Sequence, residues 1–142
     1  MGKARDLAER GMEIFHQGNL DELEDVIAWD AEFTMPGVAL KGPAQLRQLL
    51  DGYRTAFPDI NHTVVNTVES GDQFAWEIEV AGTHTGPMVT PAGEIAPTGK
   101  KVVWKSVDVI GTADGKVTSW HVYFDQVAVL AQLGVLPEPA SA

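Results

Sequence analysis

The chain has 142 residues, 44% of them hydrophobic, enough for one domain spanning 1–142 with a substantial core. Its formal net charge of −10, from 20 acidic and 10 basic side chains, repels phosphate and argues against nucleic acid or an anionic membrane as a partner. Cysteine is absent, excluding disulfides and thiolate chemistry, and no apolar run has the length of a secretory signal or a membrane span, so a cytoplasmic protein is expected.

Residues 4–17 predict a helix, with Leu7, Gly11, Ile14 and Phe15 recurring at helical spacing. Gly18 ends it, and Asn19 with Glu22 reads as a box-like cap on a second, short helix reaching about Trp29. "DAEFTMPG" predicts a short strand broken at Pro36-Gly37. The clearest helix is "GPAQLRQLLDGYRTAFPD": Pro43 suits its first turn, Leu46, Leu49, Leu50, Tyr53 and Phe57 line one side, and Pro58 stops it. Strands follow at about 60–69, 73–84, 100–111 and 116–127, with Asp114-Gly115 a strong hairpin signal. A helical turn, "VAVLAQLG", and a frayed tail, "PEPASA", complete the chain.

Helices first and antiparallel strands afterwards give an α+β class, in which a curved antiparallel sheet wraps around N-terminal helices to make a cone with a pocket at its open end. The long segment 85–100, with three Pro and three Gly, joins two of the strands and reads either as a cover over the pocket mouth or as a plain surface hairpin.

Alternation assigns the faces of these strands. Glu77, Glu79 and Lys105 mark the outer face, where Lys105 opposite either glutamate makes a reasonable cross-strand pair. Trp76, Ile78, His84, Trp104, Ser106 and Asp108 then face inward. Val103, Val107 and Val109 leave an apolar outer stripe that points to a homodimer or homotetramer formed through the sheet. In "SWHVYFDQ", one face carries Trp120, Val122 and Phe124 and the other His121, Tyr123 and Asp125. The apolar set makes an ordinary core; the polar set, turned inward, makes a site. Asp125 also stands where an N-cap is favoured, directly before the last helical turn.

"GNLDELEDVIAWDAEFTMPG" followed by "LKGPAQLRQLLDGYRTAFPD" resembles the opening of the NTF2-like superfamily, whose fold is such a cone. The GTHTG, PTGK and DGKV elements and the W-x4-D-x6-QLG pattern, in that order over about 5–137, are similar to those of the SnoaL-like polyketide cyclases. The resemblance implies intramolecular aldol closure of an aromatic polyketide ester without metal or cofactor, with Asp125 as the catalytic acid/base and His84 as a pocket histidine. A cofactor-independent hydroxylase or a non-catalytic binder of an apolar molecule would share the scaffold. A steroid-isomerase-like activity is disfavoured because its base and phenol fall at Met35 and Gly11. An epoxide-hydrolase-like one is disfavoured because Arg5, Arg10, Arg47 and Arg54 all fall in helices.

The chemistry suits the residues. Aspartate in water, with a pKa of about 3.9, is a poor base, and an apolar wall raises it. Asp125 is therefore expected to move the proton, with His121 and Asp108 supporting the enolate oxygen. His84, Trp76, Trp104, Tyr123, Phe33, Met35 and Phe15 are expected to contact an apolar aromatic substrate. His16, His62, His84 and His121 show no ligand spacing, so no metal is expected.

Overall fold

The computed structural model describes residues 2–90 and 93–136; the tail expected to fray lies outside them. Helix α1 (Lys3–Gln17) is followed by a 3-10 turn (Leu20–Asp25), strand β1 (Ile27–Met35), strand β2 (Val38–Lys41) and helix α2 (Gly42–Ala56). Strands β3 (Asn61–Ser70), β4 (Gln73–Thr83), β5 (Met88–Thr90), β6 (Gly93–Ile95), β7 (Lys101–Ala113) and β8 (Lys116–Phe124) precede helix α3 (Gln126–Leu133). Among the described residues no helix is long and apolar enough to cross a membrane.

The expected α+β class holds: six strands form one sheet in the order β2-β1-β8-β7-β4-β3. Only the β1–β8 pair in it is parallel. Register shifts in the β1–β8, β3–β4 and β7–β8 pairs interrupt the ladders, and such irregularities let a sheet bend. Ala4, Ala8 and Ile14 of α1 and Leu46 and Ala56 of α2 are buried in one core with Phe74, Trp76, Ile78, Val80 and Trp104 of the sheet.

The second helix is shorter than expected. Its six residues close as a 3-10 turn, and Asn19 contributes its backbone carbonyl to the Glu22 N–H rather than a side-chain cap. Val26 caps that turn, and Ile27, β-branched and buried, opens the next strand directly after it. The end of α1 matches the sequence reading: Gly18, at φ 77°, donates its N–H to the carbonyls of Ile14 and Phe15. Arg54 of α2 donates to the Phe15 and His16 carbonyls, placing a cation at that helix terminus.

The GTHTG element is a clasp between α2 and the end of β4. Thr85 and Gly86 donate their backbone N–H groups to the Ala56 carbonyl at 3.1 and 3.2 Å. Gly82 lies against the Phe57 ring, and the backbone of Thr55 passes where a Cβ on Gly86 would sit. His84 is fully buried; its backbone bonds Gly99 and Lys100, and its Nδ1 meets the Thr98 hydroxyl at 3.0 Å. The Thr85 and Gly86 bonds hold the start of the 85–100 segment against the end of α2, and Met88 beyond them is buried. Gly86→Ala forces a methyl into the Thr55 carbonyl and is expected to lower stability by about 1–3 kcal/mol, read from the urea midpoint.

Candidate functional site

Between α1, α2 and the inner face of the sheet lies a cavity of about 120 Å³, on the scale of one that holds a benzene. Its wall is apolar: Phe15, Phe33, Met35, Leu46, Leu49, Leu50, Ile78, Val80, Trp104, Trp120, Val122 and Phe124 contribute most of it. Six of the lining side chains carry a nitrogen or oxygen: Tyr53, His62, Trp104, Ser106, Asp108 and Trp120. No arginine lines it.

Asp108, in the middle of β7, is 4% exposed. Its Oδ2 accepts an N–H from each of two indoles, Trp76 on β4 and Trp120 on β8, both at 3.0 Å. Its Oδ1 accepts the Ser106 hydroxyl at 3.1 Å. Strand pairing creates this convergence, because Asp108 sits opposite Trp76 on one side and Val122 on the other, with Trp120 opposite Ile110. The two indoles meet edge to face, with centroids 6.3 Å apart. An indole N–H only donates, so both hydrogen bonds require an acceptor oxygen; with two bonds on Oδ2 and one on Oδ1, Oδ1 is the atom with spare accepting capacity. Burial pushes the Asp108 carboxyl above the usual carboxylate range, with the Trp76, Trp120 and Ser106 hydrogen bonds opposing it in part.

Tyr53, on the inward side of α2, is the second polar group. Its hydroxyl donates only to the Met35 sulfur, at 3.9 Å, a weak acceptor. Burial raises its pKa well above the ordinary phenol value, so it remains a neutral donor.

The structure corrects the inward face of β8. Val107 pairs with Tyr123 and Val109 with His121, so those two residues share the outer face with the valines. Tyr123 is 59% exposed, and the His121 Nδ1 meets the Thr34 hydroxyl at 2.6 Å; neither lines the cavity. Asp125 is exposed too: it ends the strand and caps α3, accepting the Ala128 N–H at 3.0 Å. Once Asp108 faces inward, its register partner Val122 must do so as well, and the face carrying His121 and Tyr123 turns outward.

The other expected site residues divide. Asp108, Trp104, Phe15, Phe33 and Met35 line the cavity. Trp76 lies behind it and reaches it only through Asp108, and His84 belongs to the clasp on α2. None of the described residues of 85–100 lines the cavity. Sequence reasoning left out Tyr53 and His62. Tyr53 was readable from its place on the α2 stripe; His62 was readable only through its pairing with inward-facing Val80. Among the described residues no group of three or more metal-ligating side chains comes together.

Solved structures share this architecture. A candidate SnoaL-like polyketide cyclase from Jannaschia sp. CCS1 superposes with a TM-score of 0.84 at 19% identity, over 95% of this chain and 94% of its own. AclR, a candidate hydroxylase from Streptomyces galilaeus, gives 0.80 at 24% identity over 99% and 87%. IdmH, a candidate polyketide cyclase from Streptomyces antibioticus, gives 0.76 at 26% identity over 94% and 100%. No curated protein matches the chain in sequence. The sequence profile of the SnoaL-like polyketide cyclases matches residues 5–133, and the chain belongs to that family.

Proposed function

We propose that this protein closes a ring in a polyketide-like β-keto ester by an intramolecular aldol reaction, with Asp108 as the acid/base group. The observation that carries the reading is one buried carboxyl group in a mostly apolar cavity wall, its Oδ2 accepting two indole N–H groups and its Oδ1 accepting only the Ser106 hydroxyl. A carbon flanked by two carbonyls is acidic enough for a carboxylate of raised pKa to deprotonate. In this scheme Asp108 takes that proton, and the C–H electron pair passes into the enolate. The enolate carbon then attacks the internal carbonyl. The Tyr53 hydroxyl, bound only to sulfur, supports the oxygen on which charge develops. The cavity has room for about one ring, so the reacting end of the substrate enters and the remainder stays toward the mouth.

A second element of the reading is a dimer. Val103, Val107, Val109 and Tyr123 are 43%, 38%, 37% and 59% exposed on the outer face of the sheet, and a second copy of the same face would cover them. Size-exclusion chromatography is expected to give a dimer, with Val107→Lys eluting as a monomer. A wild-type protein already eluting as a monomer would overturn this element.

Asp108→Asn keeps the geometry, because the amide oxygen accepts from both indoles and its NH₂ meets the Ser106 hydroxyl. Ring closure of an anthraquinone-type ester, followed by mass spectrometry, is expected to fall by roughly 10²-fold or more in Asp108→Asn. Asp125→Ala is expected to cost about 1 kcal/mol in stability through loss of the α3 cap while retaining turnover. The opposite pattern would move the acid/base role to Asp125. Oxygen uptake with a product heavier by one oxygen atom would favour the hydroxylase, and ligand uptake without product the binder.

The pH dependence has a definite sign. With its folded pKa raised, Asp108 contributes stability that is complete below the unfolded aspartate value and is lost as pH rises through the folded value. Urea midpoints of wild type are therefore expected to lose this contribution with rising pH, and Asp108→Asn to lack that component. Activity runs the other way, rising with pH as the carboxyl ionises.

A further inference from the structure

His62 and His16 form a pair that the aldol scheme leaves unused. His62, on β3, lines the cavity, and its Nδ1 lies 2.9 Å from the Nε2 of His16, which sits exposed on the last turn of α1. Their rings meet edge to face at 4.9 Å, and the Phe15 ring packs edge-on against both, at 5.4 and 5.6 Å. Arg54 from α2 bonds the Phe15 and His16 carbonyls and so fixes the end of α1 that carries His16. One imidazole therefore faces the cavity, the other faces water, and a hydrogen bond joins them.

We propose that this pair is a proton relay between the cavity and solvent, in which His62 discharges the oxygen of a bound β-keto ester and His16 recharges His62. The proposal rests on the aldol reading above.

Two neutral tautomers make this possible. When the His16 Nε2–H donates to the His62 Nδ1, the His62 Nε2–H is available to the ligand. Transfer of that hydrogen to an enolate or alkoxide oxygen breaks N–H and forms O–H. The His62 Nδ1 then takes the hydrogen from the His16 Nε2, and the His16 Nδ1 takes one from water. The pair now has its other tautomer, with Nε2 of His62 as an acceptor, and it resets by the reverse exchange when the emptied cavity admits water. The proton Asp108 removed from carbon leaves to solvent after the product, so one proton enters and one leaves per turnover.

Both rings are disposed to stay neutral. Burial and then the neighbouring His16 lower His62 to about 4. Burial and then the Arg54 guanidinium lower His16 as well. The charged and titratable groups around the pair are Arg54 from α2 and, in the cavity wall, Tyr53 and Asp108; Val80, the β4 partner of His62, carries no charge.

The test uses the whole protein with a one-ring β-keto ester, a cyclohexanone carboxylate, followed by NMR for exchange of its acidic C–H in D₂O. Wild type is expected to exchange the proton rapidly, because the enolate oxygen is discharged before the same proton returns from Asp108. His62→Gln keeps a hydrogen-bonding group but moves no proton, and His16→Gln cuts the link to solvent. Each is expected to slow exchange roughly tenfold or more, His16→Gln with the Kd for the ester unchanged because His16 does not line the cavity. Loss of exchange in Asp108→Asn together with wild-type rates in both histidine variants would overturn the relay and leave the aldol reading standing. Wild-type exchange in Asp108→Asn would overturn the aldol reading itself. If His62→Gln fails to fold, the exposed His16 decides: slowed exchange in His16→Gln supports the relay, and a wild-type rate there overturns it.

Discussion

A carboxyl group in an apolar wall is costly unless its oxygens are engaged, and the hydrogen bonds to Asp108 meet that requirement. Trp76, Trp120 and Ser106 come from three adjacent strands, so the site is assembled by sheet pairing rather than by any one segment. Because Trp76 and Trp120 each place one edge on Asp108 and the rest of the ring in the core, the polar centre and the hydrophobic core are a single construction. The three donors also divide the labour between the two oxygens. Oδ2 is committed to the fold and Oδ1 retains capacity for a ligand, which separates anchoring from chemistry within one residue.

Register follows from the same constraint. With Asp108 inward, β8 presents Trp120, Val122 and Phe124 to the cavity and releases His121, Tyr123 and Asp125 to the outside. Asp125 then serves the chain in another way, as the residue that turns the last strand into α3. The aspartate that the family resemblance singled out and the aspartate in the cavity are different residues. The proposed reading gives the chemistry to Asp108, because that group is buried in the cavity wall and burial raises its affinity for a proton.

Much of the fold was legible in the sequence because it is written in local signals. Gly18 past α1, Pro43 in the first turn of α2, Pro36-Gly37 between β1 and β2 and Asp114-Gly115 between β7 and β8 each stand where the reading placed them. The inward faces of β4 and β7 were also readable, since Glu77, Glu79 and Lys105 label the outer side, and Glu79 does pair with Lys105. The β8 face was not. His121 and Tyr123 make as plausible a site as Trp120 and Phe124 make a core, and a register shift between Gly111 and Thr112 intervenes before β8 pairs with the rest of β7. Alternation says that two faces differ; only the partner strand says which is buried. His62 and His84 illustrate the same limit. The conspicuous histidine of GTHTG ties the end of β4 to Thr98, Gly99 and Lys100, while an unremarked one on β3 lies in the cavity wall.

The central claim is that Asp108 is a buried carboxyl with raised affinity for its proton and one oxygen open to the cavity. A carboxyl-carbon NMR titration of the aspartates, with the Asp108 resonance assigned by its absence in Asp108→Asn, measures this most directly. The account expects that resonance to titrate above the ordinary value of about 3.9 and to shift when a one-ring β-keto ester binds. An Asp108 resonance that titrates at or below the ordinary value and does not respond to the ester would contradict it.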